Sequence, residues 1–95
     1  MARYVSLIRF TAQGARAIKK STARAAAFRQ AAAKAGVRVE AQYWTVGTYD
    51  GLLIISATNE RHALRQLAKL AGAGNVRSET LLVLTEGEFE AVLGK

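Results

Sequence analysis

The run Leu52-Leu53-Ile54-Ile55 constrains the fold more than any other stretch of the chain. Four consecutive aliphatic side chains put apolar surface on both faces of any strand they form, so that strand must be central and covered on both sides. The turn cluster Gly47-Thr48-Tyr49-Asp50-Gly51 precedes it, and Asn59, suited to cap a helix, follows it. Those signals delimit a strand over Leu52–Ala57. A chain of 95 residues has room for one modest core, so residues 1–95 read as one domain. The cover for the central strand must come from these residues or from a second copy of them.

The flanking segments supply part of that cover. Arg3–Phe10 is rich in Tyr, Val, Ile and Phe and reads as a strand, with Thr11–Gly14 as a break after it. Ala15–Ala35 is mostly Ala, Arg and Lys, all good helix formers, interrupted at Ser21-Thr22, which can cap a second helical segment, and ended by Gly36. Val37–Val46 alternates as a strand. After Asn59, residues 60–71 place Ala63, Leu64, Leu67, Ala68, Leu70 and Ala71 on one helical face; Arg61, His62, Arg65, Gln66 and Lys69 take the other. Val76–Leu84 is a fourth strand, and Thr85 with Glu88 has capping-box spacing for a short terminal helix carrying Phe89, Val92 and Leu93. The order β-α-β-β-α-β is that of the ferredoxin-like α+β fold, a four-stranded antiparallel sheet ordered 4-1-3-2 with both main helices on one face.

The face away from the helices should be polar if it meets water. The second strand obeys in part: Val37, Val39, Ala41 and Tyr43 are expected against the helices, with Arg38, Glu40, Gln42, Trp44 and Val46 on the open face. Leu52–Ile55 and Leu81–Leu84 do not alternate, so the open face is too apolar for solvent. A homodimer or higher homo-oligomer packing sheet against sheet is the expected solution. A small-molecule site would then lie between the sheets, lined by Arg38, Glu40, Gln42 and Trp44.

Composition excludes several function classes. Cysteine is absent, which removes disulfides, thiolate metal sites and thiol nucleophiles; a single His62 leaves no expected metal site or Ser-His-Asp triad, and Gly72-x-Gly74, short of a third glycine and ahead of a strand, leaves no expected cofactor motif. No segment reads as a signal peptide or a membrane span, and the chain is expected to be cytoplasmic. The net charge is +7, and residues 1–39 carry nine basic side chains and no acid. Arg16, Lys20, Arg24 and Lys34 fall within about 80° on one helical arc at 100° per residue, a candidate anion-binding face. Non-specific nucleic-acid binding by that arc ranks last among the expectations. An RNA platform of this topology needs exposed aromatics on the two central strands, and Leu52–Ile55 has none.

The tetrapeptide Gly47-Thr48-Tyr49-Asp50 carries a resemblance, together with Tyr4–Gly14, Ser21 with Arg24, and Gly74–Leu81. Over essentially its whole length the sequence resembles the GYD-domain family of small, mostly bacterial proteins, named for Gly-x-Tyr-Asp and of unestablished function. The resemblance implies membership of the dimeric α/β-barrel superfamily. A similar tetrapeptide occurs in the ligand-binding domain of leucine-responsive-type regulators. This chain departs from the family pattern in its acid-free N-terminal third. The first functional expectation is a homo-oligomeric ligand-binding or regulatory module, with Trp44, Tyr49, Asp50, Glu40, Gln42 and Arg38 near the Gly47–Asp50 hairpin. The superfamily also includes small monooxygenases and lactone isomerases. A cofactor-independent enzyme using Trp44, Tyr43, Tyr49 and a Glu40 or Asp50 base is therefore the second expectation. Physically, Gly47 allows positive φ, Asp50 can accept from turn amides, and Tyr49 suits a rim or an interface.

Overall fold

The computed structural model of the chain describes residues 1–94. Four strands, β1 (Ala2–Phe10), β2 (Val37–Trp44), β3 (Gly51–Ala57) and β4 (Val76–Val83), form one antiparallel sheet in the order β2-β3-β1-β4. This is the expected ferredoxin-like arrangement, with the two most apolar strands, β1 and β3, in the centre. The helices are α1 (Ala12–Arg16), α2 (Ser21–Lys34), α3 (Glu60–Gly72) and α4 (Glu86–Val92), with a 3-10 turn at Ile18–Lys20 between α1 and α2.

The core lies between the sheet and α2 with α3. Tyr4, Leu53, Ile55, Val37 and Ala57 point from the strands toward the helices and meet Ala32, Ala63 and Leu67. Burying each of the larger aliphatics contributes about 1.5–3 kcal/mol. Two polar contacts sit in this layer. Ser6 and Thr80 hydroxyls are 2.8 Å apart across β1 and β4, and the Tyr4 hydroxyl donates to Glu60 at 3.1 Å, tying the first turn of α3 to β1. Burial, then that hydrogen bond, pushes the Tyr4 hydroxyl above its ordinary pKa.

Helix ends follow local chemistry. Thr11 accepts from Gly14 N–H, and Asn59 accepts from Arg61 N–H. Thr85 and Glu88 form a complete capping box, and the backbone hydrogen bond from Thr85 holds the Glu88 carboxyl below its usual range. Gly36 ends α2 with φ of 79°.

Four expectations are corrected. The segment Thr11–Gly14 is not a break, because α1 begins at Ala12 and Gly14 packs beneath the backbone of Asn75. The interruption of Ala15–Ala35 does fall at Ser21, where α2 starts after the 3-10 turn, but Ser21 does not cap that second segment with its side chain. The second strand ends at Trp44 rather than Val46, because Thr45 turns away: its N–H donates to Asp50 O and its hydroxyl to Tyr49 O. On α3, Gln66 is only 2 % exposed and joins the inward stripe, while Leu64 faces out. The spacing 63, 66, 67, 70 keeps the 3.6-residue period, and a polar residue occupies one of its positions.

Candidate functional site

The decisive local feature is a β-bulge in β2. The pairing of β2 with β3 runs Val37↔Ala57 and Val39↔Ile55, then slips so that Ala41 faces Ile54 and Gln42 faces Leu53. One extra residue, Glu40, reverses every side chain beyond it. Ala41 and Tyr43 therefore lie on the open face with Ile54 and Leu52. Gln42 and Trp44 turn to the helix side with Leu53 and Gly51. The expected grouping of Gln42 and Trp44 with Arg38 and Glu40 is thus overturned, and so is the placing of Ala41 and Tyr43 against the helices.

Gln42 and Trp44 reach a cavity of about 330 Å³ between the sheet and α2 with α3. Its walls combine Ile8 and Phe10 of β1, Leu53 of β3, Phe28 of α2 and Leu70 of α3. The space exists because the inward positions of α2 at its edge are alanines, Ala25 and Ala31, which leave unfilled volume where larger residues would close the layer. This cavity therefore lies within a single chain, between the sheet and the helices.

Polar groups on this wall are few. Arg24 Nη1 donates to the Ala17 carbonyl at 2.8 Å, and Arg29 Nη1 donates to Gln42 Oε1 at 2.6 Å. Asp50 accepts from Phe10 N–H at 2.8 Å, and its own N–H donates to Ile8 O at 2.8 Å. Asp50 thus staples the β2–β3 connection to the end of β1, instead of accepting from amides of its own turn.

The remaining expected residues lie elsewhere. Tyr49 packs under the Arg9 guanidinium, 4.8 Å from its ring centroid, and its hydroxyl donates to Glu79 at 3.3 Å. Register places Arg9 and Glu79 on the open-face side of β1 and β4, so Tyr49 clamps strand ends away from the cavity. Gly47, at φ of 141°, has nothing near its Cα to crowd a side chain. Glu40 accepts from Arg3 Nε at 2.8 Å on the open face. That hydrogen bond holds the Glu40 carboxyl below its ordinary range and the Arg3 guanidinium above its own. A general base needs a raised carboxyl pKa and access to the cavity, and Glu40 has neither. Arg38 is exposed on the edge strand.

The basic arc is also dispersed. Arg16 belongs to α1, Lys20 to the 3-10 turn and Lys34 to the far end of α2, while Arg24 folds inward onto Ala17. Sequence reasoning missed Phe28 and Gln66 as wall residues. Phe28 carries a signal, being the one aromatic within the Ala-rich segment 15–35; Gln66 carries none. The open faces of the central strands present Val5, Leu7, Leu52 and Ile54, with no aromatic platform for bases.

These features define a ferredoxin-like α+β domain with a mostly apolar cavity between its two layers. The family model of the GYD domain matches residues 4–93, and the chain belongs to that family, whose function is not established. No curated protein matches the chain significantly. Among solved structures it is similar to TTHA0845 from Thermus thermophilus, at 23 % identity. That match covers 90 % of this chain and 95 % of that one, with a TM-score of 0.48. No helix among the described residues is long and apolar enough to cross a membrane.

Proposed function

We propose that the chain is a cytoplasmic, homo-oligomeric small-molecule-binding module whose ligand occupies the cavity between the sheet and α2 with α3. The observation that carries this reading is the cavity itself: about 330 Å³, walled largely by apolar and aromatic side chains, with a few convergent polar groups. That volume and that lining are those of small-molecule sites. Trp44, 48 % exposed, stands at its mouth.

The case for self-association rests on surface left without cover. Leu81 of edge strand β4, paired with Val5 on the open face, is 52 % exposed. On the face opposite the core Tyr43 is exposed, while Val5, Leu7, Leu52 and Ile54 beside it are half-buried. Helix α4 leaves Phe89, Val92 and Leu93 more than half exposed. The radius of gyration is 14.2 Å, against about 12.4 Å for a compact domain of this length, so the molecule is extended as well as apolar. A second copy offers the same face and buries both.

Sedimentation equilibrium and native mass spectrometry at micromolar concentration test the assembly; a dimer or larger species is expected, and Leu81→Glu weakens it. A monomer at all concentrations refutes the assembly. The cavity is tested with octanamide, a neutral amphiphile, through a saturable change in Trp44 emission. Trp44 is the single tryptophan of the chain.

A further inference from the structure

We infer that the cavity selects amphiphilic monocarboxylates, with the carboxylate on Arg24 and an apolar body of about eight carbons against Phe28, Trp44 and Leu53. This rests on the reading of the cavity as a small-molecule site and adds the chemistry of its ligand. The Arg24 guanidinium is fixed through Nη1 on the Ala17 carbonyl. Its Nη2 is buried and, among the described residues, has no hydrogen-bond partner. A guanidinium is always charged, and a buried donor left unmade costs more than a satisfied one contributes.

The chain does not supply the missing acceptor. Residues 1–39 contain no acid. The one carboxylate on the cavity wall, Asp50, already accepts from Phe10 N–H. Arg24 and Lys69 against Asp50 leave that wall net positive. An anion is therefore the complementary ligand. One unpartnered nitrogen offers a monoanion a single charge-assisted hydrogen bond. The rest of the wall is apolar, so an inorganic anion or a polyanion would leave most of it unused. At about 30 Å³ per non-hydrogen atom the cavity holds roughly eleven atoms. An eight-carbon carboxylate has that size.

Octanoate and its neutral isostere octanamide separate the charge from the fit. Calorimetry and Trp44 emission are read on the wild type, Arg24→Gln and Lys69→Gln. Octanoate is expected to bind the wild type about tenfold or more tightly than octanamide, the span of one charge-assisted hydrogen bond. Arg24→Gln is expected to bring the two ligands level by weakening octanoate about tenfold or more, and Lys69→Gln to keep the preference. Equal binding of the two ligands to the wild type overturns the carboxylate assignment and leaves the cavity reading standing. A preference that survives Arg24→Gln, or is lost in Lys69→Gln, also overturns it. Failure of both ligands to bind removes the cavity reading itself. If Arg24→Gln does not fold, the wild-type comparison with Lys69→Gln still decides.

Discussion

Gly14→Ala places the close approach of α1 to the Asn75 backbone under direct test. A Cβ added at Gly14 lies 2.0 Å from the Asn75 carbonyl oxygen and 2.9 Å from its carbon. Both are backbone atoms, so no rotamer relieves the overlap. Restoring ordinary contact near 3.5 Å requires α1 and the turn into β4 to part by more than about 1 Å. Three hydrogen bonds to backbone carbonyls span that gap: Thr11 N–H to Asn75 O at 3.1 Å, Thr11 hydroxyl to Gly74 O at 2.6 Å, and Gln13 Nε2 to Ala73 O at 3.1 Å. Such bonds weaken steeply with separation, and losing all three costs about 3 kcal/mol. Alanine returns up to about 1 kcal/mol through helix propensity. The expected net loss is about 2 kcal/mol, or about 8–16 °C in Tm for a domain of this size. Gly72→Ala is the control. It is also helical, has nothing within 4 Å of the added Cβ, and is expected to stabilise by a few tenths to about 1 kcal/mol. Thermal and urea melts at one fixed protein concentration measure both, since self-association makes Tm concentration-dependent. A Gly14→Ala protein as stable as the wild type would refute the close approach of α1 to β4.

Three further outcomes are expected. Asp50→Ala leaves Phe10 N–H without its acceptor and should destabilise by about 2 kcal/mol, with Asp50→Asn losing less because its amide oxygen can still accept; equal stability of Asp50→Ala and wild type in urea would contradict the staple. Glu40 has a folded pKa below its unfolded value. Its pairing with Arg3 therefore stabilises above about pH 4.3 and is lost as pH falls through the lower folded value. Between pH 6 and pH 3 the Tm of Glu40→Gln should accordingly fall less than that of the wild type. Ala25→Leu adds three carbons to the cavity wall. It should stabilise by up to about 2 kcal/mol at about 0.8 kcal/mol per buried carbon and weaken octanamide binding, whereas in a filled core it would cost about 1–3 kcal/mol.

The element order and the caps were legible because their causes are local. Thr11, Asn59 and the Thr85–Glu88 pair each satisfy amides within three residues, and the apolar runs of β1 and β3 admit only central positions. The GYD signature was legible as a motif but not as a device. Tyr49 and Asp50 act on partners about thirty and forty residues away, Glu79 and Phe10, which no short spacing announces. Gly14 reads as a punctuating glycine, yet its reason is the approach of Asn75 from the other end of the chain.

The cavity was illegible for a physical reason that lies in β2. Val37 to Trp44 alternates without a glycine or any other sign of a bulge, and Ala41 and Tyr43 are tolerated on either face. Without the extra residue at Glu40, Gln42 and Trp44 would join Arg38 on the open face, and Ala41 and Tyr43 would close the space beneath α2. The slip exchanges these pairs. It gives the cavity its mouth tryptophan and its amide, and it adds a tyrosine ring to the face proposed to meet a second copy. The alanines of α2 complete the effect, since a helix with leucine at those positions would fill the volume that the bulge has lined with Gln42 and Trp44. The cavity and the face proposed to meet a second copy thus have one origin, and a change in the β2 register would alter both together.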